Sequence, residues 1–279
     1  MDSTALHNIA TFAYLFATFF YVAYLAFRTR AVGNIATGLA ALGVVVHTVG
    51  KALRWVESYR MGIGHAPLSN MYESMSFFAL CVMGAYLVVE WRFKAKTLGA
   101  VVAPIAFIIL AANALFFPDD IRPLVPALQS DWLLYHVITS FVSYGAFAVS
   151  FGISILYLVK MKAEKGGLKE GSLLGMFPDL KVLDEVNYKS IAVGFPLLSL
   201  GIITGAAWAN YAWGTYWSWD PKETWSLITW FIYAAYLHAR LTRGWQGRRA
   251  AWLSIIGFSA VVFTYFGVNF LLSGLHSYA

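Results

Sequence analysis

Apolar runs close to 20 residues long recur from one end of this chain to the other, parted by short polar stretches. That length suits a helix crossing roughly 30 Å of hydrocarbon. In lipid every backbone N–H and C=O must be paired within the chain, which leaves helices or closed barrels, and the short alternating pattern of barrel strands is missing. The pattern predicts an all-α, polytopic membrane protein with about eight transmembrane helices. They fall at 9–27, 33–53, 71–91, 97–116, 132–159, 190–209, 225–241 and 251–273. The flank before the first run, "MDSTALHN", has an acid, no basic residue and no small-residue cleavage site after the run, so this run reads as a retained span. No Gly/Ser- or Pro-rich linker and no fixed-period repeat interrupts the chain, and 1–279 reads as a single membrane domain.

Composition and charge add a direction. The 279 residues are 59% hydrophobic and only 12% charged, far from the balance of a soluble domain. Fifteen of the 20 Lys and Arg residues fall in the segments 28–32, 92–96, 160–189 and 240–250. Basic loops stay on the cytoplasmic side, so both termini are expected on the outer, periplasmic side. The same asymmetry accounts for the +6 net charge with the bilayer as partner and no nucleic acid. A short interfacial helix is expected near Leu180–Asn187 in the long inner loop. Cys81 is the single cysteine, so the chain has no disulfide, no CxxC pair and no thiolate metal site. Thiol chemistry would have to use another protein's cysteines.

The outer segment 210–224 holds most of the stretch "WGTYWSWDPKETW", Trp213 to Trp225. Its "DPKE" reads as a helix start, with Asp220 as N-cap, Pro221 at N1 and Glu223 reaching back from N3. "NMYES" repeats the idea, with Asn70 capping and Glu73 three residues on. An aromatic belt at the headgroup level would explain Trp213 and Trp225, but not Trp217 and Trp219 beside Tyr216 in a loop pinned by a cap. Large aromatics stack on other flat π systems, which points to a large planar ligand.

Six histidines bear on which ligand that is: His7, His47, His65, His136, His238 and His276. His136 and His276 sit at outer ends of spans, where they could flank the tryptophan loop. Each alone is more often a polar interfacial residue than a ligand. As a pair, two neutral imidazoles on opposite faces of a flat macrocycle are what a six-coordinate haem iron takes. His47 shares a helical face with Lys51 and Arg54, either as part of an interior polar path or through an interhelical hydrogen bond. His65, in "GHAP", is expected near the site, and His7 on unstructured surface.

Here the residues resemble a known family. "WGTYWSWDPKETWSLITWFIYAAYLHAR" looks like the tryptophan-rich motif of the haem-handling cytochrome c assembly proteins. "GHAPLSNMYESMSFF" and the ending "GLHSYA" resemble the CcsA/ResC branch, and the similarity covers nearly the whole chain. The resemblance implies a System II cytochrome c synthase (haem lyase) subunit that carries haem b across the membrane. It implies external iron ligands at His136 and His276, haem held on Trp213, Trp217, Trp219, Asp220 and Trp225, and an intramembrane haem ligand at His238. Along the helix His238 lies about 27 Å from the Asp220 cap, near the inner face. The resemblance further implies a CcsB/ResB-type partner subunit and apocytochrome c with its CxxCH segment as substrate. The bacterial inner (plasma) membrane is the expected location, with the thylakoid as second choice. Two other readings remain: a haem chaperone or exporter that forms no thioether, and a membrane cytochrome b with histidine pairs on facing spans.

Overall fold

The computed structural model describes residues 2–168, 171–272 and 274, and helices and turns make up all of its regular structure. The helices are α1 Ser3–Phe27, α2 Arg30–Arg60, α3 Met71–Phe93, α4 Gly99–Phe116, α5 Asp131–Lys165, α6 Leu180–Trp213, α7 Pro221–Arg243, α8 Arg248–Val262 and α9 Val268–Leu271. A π-helical turn, Phe263–Gly267, joins α8 to α9, so that all three form the last span. Among the described residues seven helices are long and apolar enough to cross a membrane. The eighth expected span is α7, 23 residues long but more polar than the others. The chain is a multi-pass membrane protein.

The helices start where polar side chains can take up the orphan N–H groups of a first turn. Asp2 caps α1 through Ala5 N–H, Thr29 caps α2, and Asn70 accepts from Glu73 N–H at 2.8 Å. Several helices outrun the expected spans, because their polar ends extend past the apolar stretch that hydropathy detects. The separate interfacial helix expected near Leu180–Asn187 is instead the first two turns of α6, which continues unbroken into the span.

α1 packs along α2 and α4, while α5 packs along α3, α6 and α8, so the α3–α5 contact joins the two halves. In the first half a polar core is pinned near the end that carries the tryptophan loop. Arg54 donates to Glu73 at 2.9 Å, and both side chains are buried. The guanidinium also donates to the carbonyls of Asp119 and Asp120, at 2.8 and 3.0 Å, which anchors the loop after α4. Removing one partner of such a buried pair costs about 3–5 kcal/mol, because the other charge stays behind unpaired. His47 is fully buried, with Nε2 2.8 Å from Ser76 Oγ of α3, which is the interhelical bond of the second sequence reading. His7 corrects its expectation. It is 2% exposed inside helix α1, with Nδ1 2.6 Å from Ser3 O, because helix formation begins at Asp2 and carries the polar flank into the bundle.

Candidate functional site

The site grows from the seam between α5 and α6. Gly201 and Gly205 on α6 form a G-x-x-x-G pair, the small-residue spacing that lets membrane helices approach closely. His136, in the second turn of α5, fills the space left at Gly205, and Ser140 the space left at Gly201. Its Nδ1 lies 2.7 Å from the Gly201 carbonyl, which can only accept, so Nδ1 carries the proton and the lone pair is on Nε2. A Cβ on Gly205 would sit 2.6 Å from Nδ1, so any larger residue there would push the ring aside. The ring also stacks on Trp208, with centroids 6.0 Å apart and planes 18° apart. Trp208 in turn donates from Nε1 to Ala127 O at 2.8 Å.

Gly214, in the left-handed conformation, ends α6, and the tryptophan loop follows. The expected capping box is present: Asp220 accepts from Lys222 N–H at 3.0 Å, and Glu223 Oε2 accepts from Asp220 N–H at 3.2 Å. The same carboxylate accepts from Ser218 N–H at 2.8 Å, so one acid ties both ends of a three-residue turn. Inside that turn Trp219 has φ of 59°, a left-handed conformation disfavoured by about 1–2 kcal/mol for an L side chain. The turn holds Trp219 edge-on to Trp217, with centroids 5.7 Å apart, and 68% exposed. Beside the cap lies Gly274. A Cβ on Gly274 would lie 2.5 Å from Asp220 Oδ2, so this approach requires glycine.

Two small cavities, of about 80 and 140 Å³, open beneath the loop, and both are lined by His136, Ser140, Tyr144, Trp208, Lys222 and Tyr265. Trp217 and Tyr216 wall the first cavity. Cofactor pockets usually measure about 300–1,000 Å³, so these cavities suit the floor of a site whose large ligand lies across the mouth, against exposed aromatic rings. Lys222 Nζ donates to Asn269 Oδ1 at 2.8 Å. Among the described residues no carboxylate comes within ion-pairing distance of that ammonium. The π turn matters here as well. It carries Thr264 and Tyr265 to the cavity wall, where the Tyr265 hydroxyl lies 2.6 Å from Ser74 Oγ of α3.

Of the residues singled out in the sequence, His136 and Trp217 meet at one cavity, and Asp220 shapes the loop above it. Trp213 packs edge-on against Trp208 at 4.9 Å and so backs His136 indirectly. Trp225 lies against Phe263 of the π turn, 4.2 Å between centroids. His276 lies outside the described residues. His238 is remote from this cluster and exposed on α7, on the face opposite the buried stripe of Thr229, Tyr233 and Tyr236. His65 closes a turn beside the site, with its ring nitrogens 2.9 Å from Ala66 O and 3.0 Å from Arg122 O. Sequence reasoning missed Lys222, although a cation in the first turn of a helix opposes the helix dipole and is a usable signal. Trp208, Tyr144 and Tyr265 carried no such signal.

The profile of the "Cytochrome C assembly protein" family matches residues 68–276. "Cytochrome c biogenesis protein CcsA" of Guillardia theta is 43% identical over 268 residues, covering 90% of this chain and 87% of the relative. The protein of the same name from Gloeobacter violaceus is 39% identical over 325 residues, covering 98% and 95%. Among solved structures, "Cytochrome c Heme Lyase CcmF" superposes with a TM-score of 0.69 at 14% identity, over 98% of this chain. That alignment takes in 48% of CcmF, so the likeness is one of fold, to about half of a longer protein. With the family profile spanning the tryptophan loop and the α5–α6 seam that build the site, the chain belongs to the cytochrome c assembly protein family.

Proposed function

We propose that this chain carries haem b across the membrane and presents it to apocytochrome c for covalent attachment at CxxCH. The observation that carries the reading is the Gly201 carbonyl 2.7 Å from His136 Nδ1, which orients the ring and favours the Nδ1–H tautomer, so that Nε2 is the nitrogen that would ligate an iron. Among the described residues no three or more His, Cys, Asp or Glu side chains are grouped to hold a metal ion. Trp217 and Trp219 supply aromatic surface for a flat ligand, and Lys222 a cation for one of its carboxylates. His276 is the second axial ligand in this reading, and Gly274, two residues before it in sequence, lies against Asp220.

Thioether formation itself is an addition. Each substrate S–H adds across a vinyl C=C: the new bond is S–C, and the proton goes to the other vinyl carbon, with no net redox change. The chain would contribute proximity and orientation, and the substrate thiols supply the sulfur. We place the tryptophan loop on the outer side of a bacterial inner or thylakoid membrane, with 1–279 acting as one membrane domain. Synthase activity would be shared with a CcsB/ResB-type subunit. A membrane cytochrome b fits less well, since His47 is bonded to Ser76 and His238 faces away from the bundle.

Replacing His136 by Gly in cells that mature a c-type cytochrome is the test. Maturation should be lost and the haem absorbance of the purified protein altered, and added imidazole should restore part of both by filling the vacated space. Normal maturation with an unchanged spectrum would refute the assignment.

A further inference from the structure

We infer that a second groove, beside the His136 cavities, holds an extended stretch of the polypeptide substrate next to its haem-attachment motif. The proposal rests on the functional reading above and names where the acceptor chain lies. The groove measures about 550 Å³, within the range of roughly 300–1,000 Å³ for ligand sites. One wall is the turn that ends α2, with Trp55 and Tyr59, and the other is the segment from Pro123 into α5.

Three features fit a peptide. Gly62 presents bare backbone, since a Cβ there would have no neighbour within 4 Å, and Trp55 and Tyr59 stand 43% and 62% exposed to receive side chains. Main-chain contact with alternate side-chain pockets is how extended peptides are commonly held. The walls are also set in advance. Ser58 O accepts from the N–H groups of Ile63 and Gly64, at 2.9 and 3.0 Å, and His65 joins the two walls through Ala66 O and Arg122 O. A site that is already ordered loses less entropy on binding.

Continuity selects the occupant. Leu68, Ser69, Leu128 and Leu133 line both this groove and the 140 Å³ cavity under His136. The Pro123–Leu128 wall is tied by Ala127 O to Trp208, the ring stacked on His136. A chain lying in the groove therefore ends at the haem-binding histidine, where a substrate's cysteines must arrive. Among the described residues Asp131 is the only charged one lining the groove, so neutral or basic flanks are favoured.

The test places a photo-crosslinking amino acid at Gln129 or Tyr59, in the full chain in membranes that mature a c-type cytochrome, with Phe16 on the apolar flank of α1 as control. Apocytochrome should be captured from Gln129 and Tyr59 but not from Phe16. A peptide with the motif and its flanks should compete better than the bare five-residue motif. Gln129→Trp should lower maturation by roughly tenfold, the scale of blocking one good pocket, while the His136-dependent haem spectrum stays unchanged. Capture of another subunit, or of lipid, in place of apocytochrome overturns the proposal, as does normal maturation in Gln129→Trp. If wild-type membranes load haem and mature cytochrome while these arms fail, only the groove falls. If wild-type chain never carries haem at His136, the functional reading fails first.

Discussion

At the scale of single residues, Lys222 has the least bland explanation. The residue lines both cavities under the tryptophan loop, and among the described residues its ammonium donates to the Asn269 side chain. A partly buried cation beside a neutral amide, with the Asp220 carboxylate near but outside ion-pair distance, is only partly compensated until a further anion arrives. A propionate of the proposed ligand would complete it with a charge-assisted bond, worth about 1.5–3 kcal/mol. Lys222→Met, which keeps the length and removes the charge, should therefore weaken haem retention by roughly ten- to a hundredfold. Lys222→Arg should retain most of it, and dimethyl-esterified haem should bind wild type and Lys222→Met alike. Titrating haem into detergent-solubilised protein measures all three, and a Lys222→Met variant with wild-type affinity for native haem would remove the residue from the site. Trp219 has the opposite character: it is exposed and held in a disfavoured backbone conformation by the Glu223 clasp. A surface tryptophan kept there at a cost fits a ring displayed for a ligand rather than one packed for stability.

Between helices, the approach of α6 to α5 sets the position of His136. At Gly205 a Cβ would meet His136 Nδ1 at 2.6 Å, whereas at Gly38 on α2 it would meet nothing within 4 Å. Gly205→Ala should force the helices apart at a cost of about 1–3 kcal/mol, the usual range for overpacking. It should also break the Gly201 bond that sets the tautomer, so the haem absorbance should change along with the melting temperature. Gly38→Ala should leave the spectrum alone and raise helix stability slightly, by about 0.5–1 kcal/mol. A normal spectrum in Gly205→Ala would mean the tautomer is held some other way. Part of this was legible beforehand. Apolar runs located the spans, and the Asp220 and Asn70 caps were read correctly, because cap chemistry is local. Helix ends beyond the hydrocarbon were missed, since hydropathy does not register polar turns that continue a helix. Tyr265 reaches the cavity only through the π turn, and Trp208 reaches His136 only through the α5–α6 seam, so neither could be read from local pattern.

For the molecule as a whole, the proposed function requires a route by which haem reaches the tryptophan loop, and His238 bears on it. On α7 the buried stripe of Thr229, Tyr233 and Tyr236 faces the bundle, while Phe231, Ala235 and His238 form an exposed stripe at spacings of four and three. An imidazole is costly to leave against lipid, and polar groups in membrane helices ordinarily face protein or water. The small Ala235 between Phe231 and His238 would let another helix approach. A six-coordinate haem iron at His238 needs a second axial ligand, and His47 cannot give it: that side chain is fully buried and bonded to Ser76 in the other half. The second ligand is therefore expected from a separate membrane subunit docked on this face of α7. Purified alone, the chain should hold no bis-histidine haem that depends on His238. Copurified with a CcsB/ResB-type partner it should gain one, and His238→Ala should remove that haem while leaving His136-dependent binding in place. Phe231→Lys, which puts a charge on the same face, should weaken copurification without unfolding the chain. A lone chain carrying a stoichiometric haem ligated by His238 would show that the face needs no partner.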